Sequence, residues 1–417
     1  MTSRRALLIP ALAALAAAAC DVSNSENKGN VGQTDDTGTV NEGDTGCEPF
    51  VVYADADGDG FGDDTVELDG CDGTDGTADA PGDCDDTDPT VHPDADEECL
   101  DGIDQDCDGV ADDGCEVDHC GEITEDTTWE GHLVHVVTCD IYVEGEDAPT
   151  LTIEDGAVVS FYRDVGMYIG VNDDGTLDVQ GTASGVSFGS DEASPALGDW
   201  TGLQLGYHDR GSTLRGLQLR HGGGNGQGGI VVDQARPLFE GCTVEENALH
   251  GVFVTSGASP TISGSALSAN EGDGLHLEAG GCLGADGSFT GNVLTDNGRW
   301  PAVVPGDCAP ALDPSSTFTG NGRDEVYLLG ATMDRDTTWH ALDVPYYADH
   351  SFSVEGPLGP TLTIEDGAAF RMEGGLTLTI GGGDAGSLVV DGHTAGVTMT
   401  SAASTPARGD WSGISFK

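Results

Sequence analysis

Four stretches of this chain share one pattern: LRGLQLRHGG (214–223), FEGCTVEENA (239–248), ISGSALSANE (262–271) and FTGNVLTDNG (289–298). In each, an apolar residue, a glycine, a second apolar residue and a glycine or asparagine recur in order, at steps of 25, 23 and 27 residues. A period in the low twenties with short strands and turn residues is typical of a solenoid, whose coils stack and bury a continuous apolar core. The pattern therefore predicts an all-β parallel solenoid.

Three asparagines close the pattern in successive coils, at Asn247, Asn270 and Asn297. Asparagine tolerates left-handed backbone geometry better than most residues, and its side-chain amide can both donate and accept hydrogen bonds. We expect these residues to lie at a bend and to form an internal ladder.

A longer repeat, of about 210 residues, surrounds these coils. Its copies are DTTW (126–129 and 336–339), PTLTIEDGA (149–157 and 360–368), and GDWTG (198–202) with GDWSG (409–413). The first copy leads into the coils, whereas the second reaches Lys417 just after GDWSG. We expect the natural protein to continue into further coils beyond this point.

The coil pattern over about 200–330 resembles the right-handed parallel β-helix of pectate-lyase-like and surface β-helix proteins. Segment 126–205 resembles the GDW-containing lead-in that such proteins often carry. The resemblance implies a right-handed parallel β-helix. A β-sandwich is the alternative, because single short strands look alike in both folds.

The chain begins with an export signal, MTSRRALLIPALAALAAAAC, in which two arginines precede an apolar stretch that ends at Cys20. It resembles bacterial lipoprotein leaders, which implies that residues 1–19 are removed and that Cys20 is lipidated. Residues 20–46 are polar and predict a disordered tether. We expect a cell-envelope protein held to the membrane by its N-terminal lipid, with the outer membrane or cell surface favoured over the inner membrane, or an extracellular protein.

The composition excludes one class of partner and favours another. The chain has 75 Asp and Glu against 14 Lys and Arg, for a formal net charge of -61. Such a charge repels nucleic acid and attracts divalent cations. Twelve cysteines in an exported chain predict disulfide bonds, because the compartment beyond the inner membrane is oxidising.

Residues 47–120 form an acidic module with alternating aspartates in two matched loops, DADGDGFGDD (55–64) and DQDCDGVAD (104–112), and with DCDDTDP (83–89) between them. A turn glycine in each loop lets the chain wrap a cation, and carboxylate oxygens without clustered His or Met favour Ca²⁺ over copper or zinc. Val66 and Cys115 stand where an EF-hand needs glutamate, so the loops are not EF-hands. The candidate metal ligands are Asp55, Asp57, Asp59, Asp63, Asp83, Asp85, Asp88, Asp104, Asp106, Asp108 and Asp112.

The stretch from YADADGDGFGDD to the cysteine at 115 closely resembles the MopE-type metal-binding motif of exported proteins of myxobacteria and their relatives. The name of that family carries an association with copper. The matching positions here are Asp and Cys, so the resemblance is carried over only as calcium binding by the aspartates named above.

Short loops close readily, and proximity therefore predicts disulfides between Cys71 and Cys84 and between Cys99 and Cys107. The partners of four further cysteines stay open: Cys47, Cys115, Cys120 and Cys139.

One-coil steps place two acid/base pairs side by side, His250 with Asp273 and His221 with Glu246. Carboxylates with His or Arg serve β-helix polysaccharide lyases and hydrolases, but no convergent arginine is evident here. We interpret both pairs as part of a polar solvent face and the protein as a non-enzyme.

The sequence predicts a calcium-stabilised binding, adhesion or scaffold protein, directed at polysaccharide or another surface component. A polysaccharide lyase or hydrolase is the alternative, and a metal-acquisition protein is a third class. The predicted domains are 1–19 signal peptide, 20–46 tether, 47–120 metal-binding module, 126–330 β-helix with its lead-in, and 336–417 second lead-in.

Overall fold

A computed structural model describes residues 50–70, 75–99, 101–284 and 288–417. The signal peptide, the tether, the lipidation candidate Cys20, and Cys47 and Cys71 lie outside these residues. The chain forms two compact units: the acidic unit, up to residue 96 together with 104–109, and the solenoid unit, 97–103 together with 110–417. The part of the chain that the structure describes contains no helix long and apolar enough to span a membrane.

The acidic unit contains one small sheet. Its strands are β1 (Phe50–Ala54), β2 (Phe61–Gly70), β3 (Thr77–Ala78) and β4 (Ala80–Pro81). Strands β1 and β2 are antiparallel, and the short strands β3 and β4 pair on either side of them. The hairpin turn between β1 and β2 carries the first aspartate loop.

The solenoid unit consists of short strands and one 3₁₀ turn (Ala309–Ala311). Its strands are β5 (Glu116–Ile123), β6 (Thr127–Trp129), β7 (Val134–Val143), β8 (Thr150–Ile153), β9 (Val158–Phe161), β10 (Gly166–Ile169), β11 (Thr176–Gln180), β12 (Val186–Ser190), β13 (Gly202–Leu205), β14 (Thr213–Arg215), β15 (Leu217–Arg220), β16 (Gly228–Val232), β17 (Leu238–Glu240), β18 (Thr243–Glu245), β19 (His250–Val254), β20 (Thr261–Ser263), β21 (Ala266–Ser268), β22 (Leu275–Leu277), β23 (Phe289–Thr290), β24 (Val293–Thr295), β25 (Ala302–Pro305), β26 (Val326–Leu329), β27 (Thr332–Met333), β28 (Thr337–Trp339), β29 (Tyr346–Ala348), β30 (Phe352–Val354), β31 (Thr361–Ile364), β32 (Ala369–Met372), β33 (Thr377–Ile380), β34 (Ser387–Val390), β35 (Thr398–Ser401) and β36 (Gly413–Phe416).

Each strand pairs in parallel with the strand one coil further on, which confirms the predicted parallel solenoid over the β-sandwich. The longest such face, here called face B, runs through β7, β10, β13, β16, β19, β22, β25, β26, β29, β32 and β35. Parallel pairing in register places equivalent positions of successive coils about one strand spacing apart. Side chains of one type therefore stack in columns along the solenoid.

The apolar positions of the repeat form the core. Leu214, Phe239, Ile262 and Phe289 are register partners in turn, and all are buried. The turn glycines of the same repeat, at 216, 241, 264 and 291, have φ between 57° and 64°, a region that glycine enters at little cost. The repeat thus specifies both the buried column and the bend beside it.

The predicted asparagine ladder is confirmed. Asn247 Nδ2 donates to Asn270 Oδ1 (3.0 Å), Asn270 Nδ2 to Asn297 Oδ1 (3.0 Å), and Asn297 Nδ2 to Asn321 Oδ1 (2.9 Å). The left-handed residue is the one before each asparagine, as at Glu246 (φ 53°). The asparagine side chains are buried because their amides hydrogen-bond to one another. The exposed residue before each asparagine adopts the left-handed backbone conformation.

The two copies of the long repeat make the same capping contacts. Asp126 and Asp336 each accept the backbone N–H of the first strand residue one coil on, Thr150 at 2.9 Å and Thr361 at 2.8 Å. The indole of Trp339, in the second copy, is buried and donates to the carbonyl of Gly306 at 2.8 Å. The matching indole of Trp129, in the first copy, is buried without a hydrogen-bond partner among the described residues, so the two copies share the aspartate contact but not the indole contact.

The disulfides correct the predicted pairing. Cys84 bonds to Cys107 and Cys99 to Cys115, so the expected Cys71–Cys84 and Cys99–Cys107 bonds are wrong. Halving the length of a loop lowers the entropic cost of closing it by only about 0.6 kcal/mol. The geometry of the folded aspartate loops therefore outweighs proximity in the choice of disulfide partners. Two further bonds join neighbouring coils of the solenoid unit, Cys120–Cys139 and Cys282–Cys308.

Replacing Asn270 tests the ladder. Asn270→Ala removes the Oδ1 that accepts from both the backbone N–H and Nδ2 of Asn247, and it removes one of the donors to Asn297 Oδ1. We expect a loss of about 2 kcal/mol in unfolding free energy, measured as a lower urea midpoint. The exposed neighbour Glu271→Ala is the control and leaves the midpoint within about 0.5 kcal/mol. Equal midpoints for both variants contradict the ladder's role.

Candidate functional site

The first aspartate loop holds its own shape with one oxygen of each carboxylate. Asp55 Oδ1 accepts the Gly58 N–H (2.6 Å), Asp57 Oδ1 the Asp59 N–H (3.2 Å), and Asp59 Oδ1 the Phe61 N–H (2.8 Å). Gly58 and Gly60 have φ of 86° and 102°, as such a tight loop requires. The second oxygens, Asp57 Oδ2 and Asp59 Oδ2, are buried without a hydrogen-bond partner among the described residues.

Asp83 joins this loop from the middle aspartate stretch. The backbone N–H groups of Gly82 and Asp83 donate to the carbonyl of Gly62, at 3.0 and 3.2 Å, next to the first loop. Asp83 Oδ1 accepts the N–H of Asp85 at 2.9 Å, whereas Asp83 Oδ2 is buried and, within the described residues, unpartnered. The sequence presented these stretches as separate, but the fold brings them into one cluster.

The electrostatics of this cluster call for a cation. Burial raises the pKa of Asp57, and the neighbouring carboxylates of Asp59, Asp55 and Asp86 raise it further. Burial likewise raises the pKa of Asp83, with Asp59, Asp57 and Asp86 adding to the effect. Buried carboxylate oxygens without donors are costly unless a cation neutralises them. An oxygen-only donor set of this kind suits a hard divalent cation.

The second loop forms a group of its own. One carboxylate oxygen from each of Asp104, Asp106 and Asp108 lies within 4.8 Å of the other two. Asp104 also accepts the N–H groups of Asp108 (3.2 Å) and Gly109 (2.9 Å), and Gly109 has φ of 100°. The arrangement repeats that of the first loop, as the matched sequences predict.

A disulfide joins the two loops. Cys84 follows Asp83 directly, and Cys107 lies between Asp106 and Asp108. Cys107 adopts φ of 58°, and its Sγ accepts the backbone N–H of Cys84 at 3.1 Å. The bond therefore fixes the backbone next to ligand candidates of both loops.

Four further candidate ligands belong to neither cluster, and their carboxylates accept nearby hydrogen bonds. Asp63 accepts from Thr65, Asp85 from Thr87, and Asp88 from Thr90, each through the threonine hydroxyl at 2.6 to 2.8 Å. Asp112 accepts the backbone N–H groups of Asp101 and Gly102, at 3.0 and 3.1 Å. The structure gives these four aspartates roles in turns.

Outward-facing residues of face B form a column, here called the outer column. Successive register partners are Tyr142, Tyr168, Gln204, Val231, Phe253, His276, Val303, Tyr327, Tyr347, Arg371 and Thr400. Such positions normally carry polar residues in contact with water. The four tyrosines of the outer column stay partly exposed, whereas Val231, Phe253 and Val303 are buried. The exposed aromatic rings are a feature that contact with water alone does not explain.

An aromatic cluster lies toward the C-terminal end of this column, where Trp300 joins Tyr327 and Tyr347. The Trp300 ring stacks on Tyr327 and Tyr347, with centroids 5.3 and 5.1 Å apart, and the Arg323 guanidinium lies 4.6 Å from the Trp300 centroid. These residues line a surface cleft of about 400 Å³. Within the described residues, no carboxylate lies within ion-pair distance of Arg323. Sequence analysis missed this cluster, although the spacing of Tyr327 and Tyr347 by one coil is the signal for it.

A second cleft adjoins the first and brings an arginine toward carboxylates. Arg371 pairs with the buried Glu325, and Glu373 accepts the Tyr347 hydroxyl at 2.9 Å. Burial and this hydrogen bond raise the pKa of Tyr347 to about 12. This arginine lies on other coils than the two predicted acid/base pairs, so it does not bear on the missing arginine there, but the second cleft is another place where groups suited to catalysis meet.

The two predicted acid/base pairs exist, but one of them is not on the surface. His221 Nε2 lies 3.6 Å from Glu246 Oε2, with the Glu246 side chain half exposed. His250 Nδ1 lies 3.2 Å from Asp273 Oδ2, yet Asp273 has no exposed surface and His250 only 8%. The expectation that His250 and Asp273 face solvent is wrong, because the His250 ring packs against Phe253 and His276 and the Asp273 carboxylate accepts the backbone N–H of Trp300.

Comparisons with known families agree with both parts of this description. The model of the MopE-type metal-binding motif matches residues 83–113. The models of a pectate-lyase like beta helix domain and of a right handed beta helix region match residues 121–212 and 200–322. No curated protein and no solved structure shows significant similarity. The chain therefore combines a MopE-type metal-binding motif with a right-handed parallel β-helix of the pectate-lyase-like kind.

Proposed function

We propose that this protein is an exported, lipid-anchored envelope protein that binds calcium in its acidic unit and acidic polysaccharide on its solenoid unit. Cys20 is the lipidation site, and the export leader is the support for a position in the cell envelope. The aromatic cluster with Arg323 is the observation that carries the binding function.

Calcium is supported by the donor chemistry. Asp57 Oδ2, Asp59 Oδ2 and Asp83 Oδ2 are buried oxygens that the described residues leave without donors. Ca²⁺ takes several oxygen ligands from carboxylates, backbone carbonyls and water, in a flexible geometry. Bound calcium would neutralise the repulsion that raises the pKa of Asp57 and Asp83.

A polysaccharide ligand is supported by the shape and chemistry of the outer column. Tyrosine and tryptophan rings offer flat apolar faces with polar edges, and a row of them along the coils suits an extended chain. Arg323 points to an acidic chain, because it has no carboxylate partner in the described residues, whereas Arg371 on the same face is ion-paired with Glu325. Arginine binds carboxylates in a bidentate manner.

The alternative function is cleavage of the same polysaccharide. The second cleft favours it, since Arg371, Glu373 and the Tyr347 hydroxyl supply the acid, base and charge-stabilising groups that such chemistry uses. Release of unsaturated or reducing-end uronates by the wild-type protein, and none by Arg371→Gln, would decide for an enzyme.

The calcium sites are tested by calorimetry on the full chain. Asp57→Asn and Asp83→Asn each remove one anionic oxygen from the first cluster, and we expect at least tenfold weaker binding of one calcium. Asp88→Asn is the control and leaves both affinity and stoichiometry unchanged, because the Asp88 carboxylate accepts from the hydroxyl and N–H of Thr90 and, among the described residues, belongs to neither cluster. A wild-type protein that binds no calcium, or three identical titrations, contradicts the assignment.

Polysaccharide binding is tested by retention on polygalacturonate and alginate in excess calcium. We expect Tyr327→Ala to weaken retention about fivefold, since the packing of one aromatic ring on a ligand contributes about 1 kcal/mol. Arg323→Gln should weaken uronate binding and leave neutral glucan unaffected. The control is Tyr207→Ala, a 64% exposed tyrosine outside the column. Equal loss in the control, or no binding by the wild type, rejects the proposed ligand.

A further inference from the structure

We propose that His250, Asp273 and His276 form a second metal site, on the solenoid unit, for a divalent transition metal of the zinc class. His276 was not considered in the sequence analysis. One ligand atom from each of the three residues lies within 4.8 Å of the other two.

The coil register builds this cluster. His250 begins β19, and Asp273 lies in the turn before β22, one coil further on, with its backbone carbonyl accepting the Gly251 N–H at 3.0 Å. His276 is the register partner of Phe253, whose ring stacks on the imidazoles of His276 and His250 at 5.3 and 5.7 Å. Both imidazoles are therefore held from two sides.

The carboxylate stands at the centre of the cluster. Asp273 Oδ2 lies 3.2 Å from His250 Nδ1 and 2.8 Å from His276 Nδ1, and Asp273 Oδ1 accepts the backbone N–H of Trp300 at 3.1 Å. Four ligands arranged tetrahedrally around zinc at about 2.0–2.1 Å lie about 3.3 Å from one another. The two separations from Asp273 Oδ2 are thus already near those that such an ion requires, and the two imidazole ligand atoms lie within 4.8 Å of each other.

The charge of Asp273 needs a partner. Its side chain is 1% exposed, and in the part of the chain described here its only ion-pair partners are the two histidines. A buried carboxylate is costly unless a positive charge accompanies it. A divalent cation supplies that charge, and imidazole nitrogen is a ligand that zinc-class metals favour.

The hydrogen bonds of His250 also favour a cation at this site. His250 Nδ1 lies 3.2 Å from both the backbone nitrogen and Oδ2 of Asp273. A ring nitrogen that accepts the N–H has no proton to give to the carboxylate, so its lone pair then faces that of Oδ2. A cation between Nδ1 and Oδ2 turns this repulsion into coordination.

A metal ion can enter the site from solvent, and the protein supplies three of the four ligands that a tetrahedral ion binds. The His276 side chain is 25% exposed, whereas Asp273 and His250 are buried. Three protein ligands leave a fourth position open for water or a ligand group. The all-oxygen clusters of the acidic unit favour calcium instead, so the two kinds of site differ in metal preference.

Metal binding to the full chain without a polyhistidine tag tests this site, with excess Ca²⁺ present to fill the oxygen clusters. We expect one equivalent of Zn²⁺ to bind, and Co²⁺ to give the intense visible absorption of a four-coordinate site with nitrogen ligands. His250→Gln and His276→Gln should each weaken binding at least tenfold and abolish that absorption. His221→Gln, at the other His–carboxylate pair, is the control and should bind as the wild type does.

Circular dichroism of each variant verifies that the solenoid is intact, and His276→Gln is the variant least able to disturb it, because its side chain is partly exposed. No zinc bound by the wild type in calcium, or undiminished binding by both folded histidine variants, overturns the proposal. Loss of binding in His221→Gln to the same extent also overturns it, because the metal would then bind histidines without selection.

Discussion

The parallel register between coils is the constraint on which the rest of the solenoid unit depends. Each coil donates its backbone hydrogen bonds to the next, so the position of one residue is set by the residue one coil away. The same residue type therefore recurs at equivalent positions of successive coils. A buried polar side chain needs a hydrogen-bond partner at the equivalent position of the next coil. The buried asparagine at 270 is tolerated only because Asn247 and Asn297 stand above and below it.

The same register creates surfaces that the linear sequence hides. Trp300, Tyr327 and Tyr347 are separated by up to two coils along the chain, yet their rings lie 5.1 to 5.6 Å apart. Asp273 contributes to two features at once, because its carboxylate holds the backbone N–H of Trp300 while it contacts both histidines. A change at Asp273 is therefore expected to reach the aromatic cluster through one hydrogen bond.

Sequence analysis reached the fold, the asparagine ladder and the aspartate loops, since each depends on spacing that repeats along the chain. Spacing along the chain did not predict disulfide partners, side-chain burial or contacts between distant coils. Disulfide partners depend on how the aspartate loops fold, so proximity misassigned Cys84 and Cys99. Burial of Asp273 depends on the path of a turn, and the approach of Arg371 to Glu325 spans two coils.

Aspartates in the two units differ in what surrounds their charge, and this difference separates a structural carboxylate from a metal ligand. Hydrogen bonds from the hydroxyl and backbone N–H of Thr182, together with further backbone donors, lower the pKa of Asp155 to about 2. Burial beside other carboxylates raises the pKa of Asp57 and Asp83.

In a chain with a net charge of -61, the abundance of carboxylates alone identifies no site. A carboxylate that the fold supplies with N–H donors is stable as an anion and serves the backbone. A carboxylate that the fold buries without donors is stable only when a cation arrives. For aspartates that contact no histidine, that criterion supports the proposal of a metal site at the first aspartate loop with Asp83 and assigns the capping aspartates of the coils to the scaffold.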